Sequence, residues 1–131
     1  MTDVFVTDTH PFLWYLTDDP RLSEAARQVL ERADRGDLFV VVPAVVLIEC
    51  LYVLERKRIE YEFGQLVRRI DEASGYIVWP LDLETVLTMA EVGRTLELHD
   101  RAIVATAKQW GAGLISRDGQ IVAAQEVKVY W

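Results

Sequence analysis

The chain has 131 residues, 51% of them hydrophobic, which suits one globular domain over 1–131 with a substantial core and excludes a disordered polymer. No apolar run approaches the roughly 18 residues of a membrane-spanning helix. The Met-Thr-Asp-Val start carries no basic region or cleavage signal, so the expected location is the cytoplasm, with no membrane partner. Net charge is −7, from 14 Lys and Arg against 21 Asp and Glu. That balance opposes non-specific nucleic-acid binding over the whole surface, but Arg56-Lys57-Arg58, Arg68-Arg69, Arg101 and Arg117 are local basic groups. The lone Cys50 makes no internal disulfide, which fits a reducing compartment. With two histidines it is too few for a four-ligand structural zinc site.

The elements alternate along the chain. Val4 to Thr7 reads as a short buried strand, and Pro11 suits the first turn of the helix that Phe12-Leu13-Trp14-Tyr15-Leu16 continues. Asp18-Asp19-Pro20 is a turn. Ser23 caps a helix to about Arg35, which Gly36 ends. Leu38 to Val42 has no polar alternation, as expected of a strand covered on both faces. Pro43 starts a helix that carries Glu49 and ends near Arg56. A further helix spans Glu60 to Ala73, weakened by Gly64. Tyr76 to Trp79 is a strand, and Asp82 caps a helix to about Leu96. Asp100 opens the next helix, which stops before Gly111. Gly113 to Ser116 is a fourth strand, and Val127 to Tyr130 a fifth. Strands alternating with helices predict an α/β fold with a mostly parallel sheet of four to five strands. Sites in such sheets lie beyond the carboxyl ends of the strands, where Asp8 and Asp118 fall.

Four acids stand where carboxylates are costly or where apolar segments end. Glu49 has Val45, Val46, Tyr52 and Val53 at its helical neighbours, so it points where its helix packs. A buried glutamate needs compensation. Either an arginine pairs with it or a cation does. Asp100 precedes an apolar stripe of Ile103, Val104 and Ala107, and reads as a helix cap, a ligand or both. Asp8 closes the first strand and could instead be a turn residue. Asp118 could cap a short helix at Gly119-Gln120-Ile121. Cys50 reads as core, His10 and His99 as isolated, and Trp14, Tyr15 and Trp110 as packing residues. No P-loop, GxGxxG or nucleophile elbow is present.

Taken in order, these segments resemble the PIN-domain family, and within it the VapC-like toxins of toxin–antitoxin pairs. Val6-Thr7-Asp8-Thr9-His10, with the Pro11 to Leu16 helix, is similar to the family's opening strand, first acid and first helix. Asp19-Pro20-Arg21-Leu22-Ser23 is similar to the connection of one toxin-like branch. Ile48-Glu49-Cys50 resembles the second acid, and His99-Asp100-Arg101 with its apolar helix the third. Ile115-Ser116-Arg117-Asp118 resembles the fourth, with Ser116 where threonine is common. The chain departs in placing Val45, Val46 and Leu47 where small polar residues usually precede the second acid. Glu97 is similar in place to an additional acid of some members.

The resemblance implies a PIN-like three-layer α/β/α fold and a Mg²⁺- or Mn²⁺-dependent ribonuclease leaving 5′-phosphate and 3′-hydroxyl ends. Asp8, Glu49, Asp100 and Asp118 are then the metal ligands and catalytic acids, with Asp8 and Asp100 the direct ones. Such hard cations do prefer carboxylate oxygens. Ser116 is a candidate for positioning water or phosphate, and Arg101, Arg117 and Arg56 to Arg58 for touching phosphates. The implied partners are RNA, a cognate antitoxin and a second copy of the chain. The crowd of large residues in the first helix, with Leu51, Tyr52 and Leu54, suggests a face covered by another chain. Two other classes remain open: a PIN-fold binding or regulatory module with little catalysis, and an α/β phosphotransfer enzyme with Asp8 as nucleophile. The latter lacks a second acid directly after Asp8.

Overall fold

The computed structural model describes residues 3–131. Met1 and Thr2, which open the segment read above for a targeting signal, lie outside the described residues. In chain order the elements are β1 (Val4–Thr7), α1 (Thr9–Leu16), α2 (Glu24–Asp34), β2 (Phe39–Pro43), α3 (Ala44–Glu55), α4 (Phe63–Glu72), β3 (Tyr76–Trp79), α5 (Leu83–Glu91), α6 (Leu98–Trp110), β4 (Gly113–Ile115), α7 (Gly119–Ala124) and β5 (Val129–Tyr130). The strands form one sheet in the order β3-β2-β1-β4-β5, and every pairing is parallel. This is the expected α/β fold.

The direction in which strands are added to the sheet reverses at β1. The first three strands step outward one way, and β4 and β5 step out the other. Right-handed crossovers then put α1 to α4 on one face and α5 to α7 on the other. The point between β1 and β4 is the topological switch, where helices leave the sheet in opposite directions and a crevice opens. The core fills both faces: Val6, Val40, Val41, Val42, Leu114 and Ile115 from the strands, Phe12, Leu13 and Leu30 on one side, Ile103 and Val104 on the other. No described helix is long and apolar enough to cross a membrane.

Several local expectations need correction. The first helix is not over-supplied with apolar residues for one core. Phe12, Leu13, Trp14 and Leu16 are all buried within the chain, because α1 is short and enclosed by α2, α3 and the sheet. Tyr15 hydrogen-bonds through its hydroxyl to Asp34, which also accepts from Arg69 at 3.2 Å. Helix α4 starts at Phe63 rather than Glu60, since the Gln65 side chain accepts from the Glu62 backbone N–H and fixes the first turn there. Helix α5 ends at Glu91 rather than Leu96. Val92 turns to extended backbone, and it and Leu96 drop into the core from a loop. Helix α6 starts at Leu98 with Glu97 at the cap position, so Asp100 lies inside the first turn and is not the cap. That helix ends at Gly111 in the left-handed conformation, with φ 59°.

Candidate active site

Asp8 and Asp118 are set by the same device. Each follows a strand and caps the next helix. Asp8 Oδ1 accepts from the Thr9 backbone N–H at 2.8 Å. Asp118 Oδ1 accepts from the N–H groups of Gln120 and Ile121 at 2.8 and 3.3 Å. Strands β1 and β4 are neighbours, with Thr7 opposite Ile115, so both caps emerge at one sheet edge. The buried Ser116 joins them. Its hydroxyl donates to Asp8 Oδ2 at 2.8 Å and accepts from the Asp118 backbone N–H at 3.1 Å. Each Asp8 oxygen accepts one of these bonds and retains a second lone pair, while Asp118 keeps its Oδ2. Beside these acids lies a cavity of about 300 Å³ lined by Asp8, His10, Pro11, Trp14, Arg117 and Asp118.

Glu49 enters from α3. The Thr9 hydroxyl donates to its Oε1 at 3.0 Å, and His99 Nδ1 stands 3.9 Å from its Oε2. No arginine pairs with it among the described residues, so the buried Arg–Glu reading of Glu49 does not hold. Its side chain is 30% exposed, so it stands at the margin of the core rather than within it. Asp100 completes the group from the first turn of α6.

The four acids feel one another. Burial, then the charges of Asp8, Asp118, Glu49 and Glu97, push Asp100 up to about 6. Burial also holds Asp8 above the ordinary carboxylate range, partly offset by the Ser116 and Thr9 hydrogen bonds. Burial raises Glu49 as well, against the Thr9 hydrogen bond and the pull of His99. Among the described residues no three His, Cys, Asp or Glu side chains are placed to hold a metal ion between them as they stand. The donor set nonetheless fits a hydrated hard cation. Mg²⁺ keeps several of its waters and takes only one or two carboxylates directly. These donors are all oxygen, with no thiolate or imidazole cluster among them to favour zinc or copper.

The other candidates separate. Arg117 lines the cavity. Arg101 is committed elsewhere: its guanidinium donates to the Met89 carbonyl at 2.9 Å, with Nε buried. Arg56 and Arg58, beyond the end of α3, fold back to stack on Tyr52 rather than facing the acids. Glu97 is exposed, and reaches the site only through its charge on Asp100. Cys50 is buried, its thiol pushed up to about 12 by burial, and inert. Thr9, His10 and His99 were not legible as site residues. Their one signal is adjacency to Asp8 and Asp100, which says nothing of direction.

A parallel α/β sheet with acids gathered beyond its strand ends at the switch point defines the class of protein. The PIN domain model matches residues 5–127, and the chain belongs to the PIN domain family. Similar solved structures include VapBC2 from Rickettsia felis bound to a DNA fragment from its promoter, 14% identical with TM-score 0.70 over 97% of each chain. FitAcB from Neisseria gonorrhoeae is 22% identical with TM-score 0.67, over 97% of this chain and 96% of that one. VapC20 from Mycobacterium tuberculosis, a sarcin-ricin loop cleaving toxin, is 20% identical with TM-score 0.67, over 96% and 99%. At these identities the likeness is one of fold. No curated protein matches the chain.

Proposed function

We propose that the chain is a divalent-metal-dependent endoribonuclease acting as the toxin of a cytoplasmic toxin–antitoxin pair. One observation carries this reading. Asp100 is a half-buried carboxylate at the switch point that feels the charges of Asp8, Asp118 and Glu49. Such an arrangement is poised for a cation.

Asp8 and Asp100 would hold the ion directly, with Glu49 and Asp118 acting directly or through water. The ion supplies an activated water and stabilises charge on the scissile phosphate. The chain's own residues do the orienting. Ser116 and the Thr9 N–H fix both oxygens of Asp8. The Thr9 hydroxyl fixes Glu49. Two backbone N–H groups hold Oδ1 of Asp118 and leave Oδ2 for water or metal. Ser116, buried between the two aspartates, sets their separation.

A cognate protein partner for the chain is supported by exposed apolar stripes. Ile48, Leu51 and Tyr52 on α3, and Leu83, Val86 and Leu87 on α5, each follow i, i+3, i+4 spacing and face outward. A groove of about 780 Å³ whose lining includes Ile59, Tyr61 and Phe63 suits an inserted antitoxin segment.

The test is cleavage of single-stranded RNA by the purified chain in Mg²⁺ or Mn²⁺ and in EDTA, with Asp8→Asn as control. Metal-dependent cutting lost in folded Asp8→Asn is expected, with 5′-phosphate ends on the products. Equal cutting by Asp8→Asn and the parent chain, or by the parent in EDTA, would overturn the proposal.

A further inference from the structure

Arg117 adjoins Asp118 in sequence and lines the same cavity as Asp8 and Asp118, yet it bridges to neither. Its guanidinium lies over the Trp14 ring at 4.6 Å and near the Trp131 ring at 6.0 Å, and the two indoles meet edge to face with centroids 6.0 Å apart. A further acid close enough to feel Arg117 is Asp19. That carboxylate is already taken by Arg21 in a two-pronged pair, at 3.0 and 2.8 Å. Among the described residues Arg117 therefore keeps its donors uncommitted, held by ring faces rather than by a counter-charge.

A stacked guanidinium suits one task in particular. Stacking fixes the plane and removes rotamer freedom while leaving the N–H fork free for a bidentate anion. A carboxylate partner would have consumed that fork. The shelf is also built across the fold. Trp14 comes from α1, Arg117 from the loop after β4, and Trp131 from just beyond β5, where Ser116 N–H donates to the Tyr130 carbonyl at 3.3 Å. The parallel register of β4 and β5, with Ile115 opposite Tyr130, thus brings Trp131 level with Ser116 and within reach of the Arg117 guanidinium.

We propose that Arg117 seats an RNA phosphate flanking the one that is cut, and that Trp131 is a positioning residue that holds Arg117 in place for it. This rests on the nuclease reading above. It assigns a positioning role to a tryptophan that lies outside the acid motif.

The experiment compares the parent chain with Arg117→Ala, Arg117→Lys, Trp131→Ala and Trp131→Phe, each checked by thermal melting. Steady-state cleavage of a single-stranded oligoribonucleotide in Mn²⁺ is measured across a salt series. Arg117→Ala should raise KM about tenfold with kcat within about twofold. It should also flatten the dependence of log(kcat/KM) on log[salt] by about 0.7, the slope for one lost phosphate contact on a single strand. Trp131→Ala should raise KM in the same direction, and Trp131→Phe should restore it. Arg117→Lys should recover the salt slope but not the KM, because a point charge lacks the fork. If Arg117 only screened the acids, metal affinity would change while KM and salt slope stayed put, which would overturn the proposal. Should the parent chain cut no RNA, the nuclease reading fails separately. Fluorescence anisotropy with the same labelled oligoribonucleotide then reads the shelf directly, and equal binding by the parent and Arg117→Ala, or no binding by either, would overturn it too.

Discussion

The Ser116 hydroxyl donates to Asp8 Oδ2 at 2.8 Å across a separation of 108 residues. It is buried, and its hydrogen bond is the main influence pulling Asp8 back toward ionisation against burial. Ser116→Ala should therefore raise the Asp8 pKa further. The acid limb of the pH–rate profile should move to higher pH, and cleavage near neutrality should fall about tenfold, the scale of one hydrogen bond to a charged group. Ser116→Thr keeps the hydroxyl and should retain most activity. An unchanged profile for Ser116→Ala would show that the bond does not set the charge of Asp8.

Asp100 gives the sign of the pH dependence of stability. Its folded-state pKa of about 6 lies above the ordinary 3.8, so the folded chain binds that proton more tightly than the unfolded chain does. The associated stability is fully present below about pH 4 and is lost as pH rises through 6. Asp8 and Glu49 are shifted the same way. With a discount for solvent screening of a half-buried group, metal-free protein should lose about 1–2 kcal/mol across that window. Asp100→Asn should remove most of the loss. Denaturant melts in EDTA at several pH values read this directly, and a metal-free chain that gains stability from pH 4 to 7 would contradict it.

Divalent cations should reverse that trend. They bind the ionised carboxylates, so their stabilising effect grows with pH. At a hundredfold excess over the dissociation constant the gain is about 2.7 kcal/mol. The expected result is a higher Tm in millimolar Mn²⁺ or Mg²⁺ than in EDTA at about pH 7.5, and little difference at about pH 5. Melting curves that superimpose at the higher pH would count against a cation site.

Glu49→Gln separates two kinds of compensation. A buried arginine left without its partner would cost roughly 3–5 kcal/mol, but the contacts of Glu49 are the Thr9 hydroxyl and His99. A glutamine amide oxygen can still accept from Thr9. Apo stability should change by less than about 1 kcal/mol, while Mn²⁺ affinity measured by titration calorimetry falls. A large loss of apo stability with unchanged Mn²⁺ affinity would mean that Glu49 is structural.

Leu83 and Leu87 are 72% and 60% exposed on one stripe of α5. A parent chain that self-associates through this stripe should sediment as a dimer at tens of micromolar (about the range of modest association), and Leu83→Glu with Leu87→Glu should sediment as a monomer with an unchanged Tm. A parent chain that is monomeric there would remove self-association as the reason for the stripe.

Strand and helix identities were legible because their signals are local. The Val4 to Thr7 run, the Ser23 cap and the Gly111 stop each act within a turn or two, and the elements form where those residues stand. Asp8 and Asp118 could be placed at strand ends for the same reason. The boundaries of α4 and α5 were not legible, since Val92 and Leu96 leave the helix to fill a core that only distant elements create. The same holds for what surrounds the acids. That Glu49 answers to Thr9 rather than an arginine, that Arg101 turns to α5, and that Trp131 backs Arg117 depend on parallel strands pairing through long crossovers. Local sequence signals set which residue types lie at each element's end. Which of them meet is settled in the folded chain, because contacts between side chains distant in sequence follow sheet order and register, and no local periodicity encodes those.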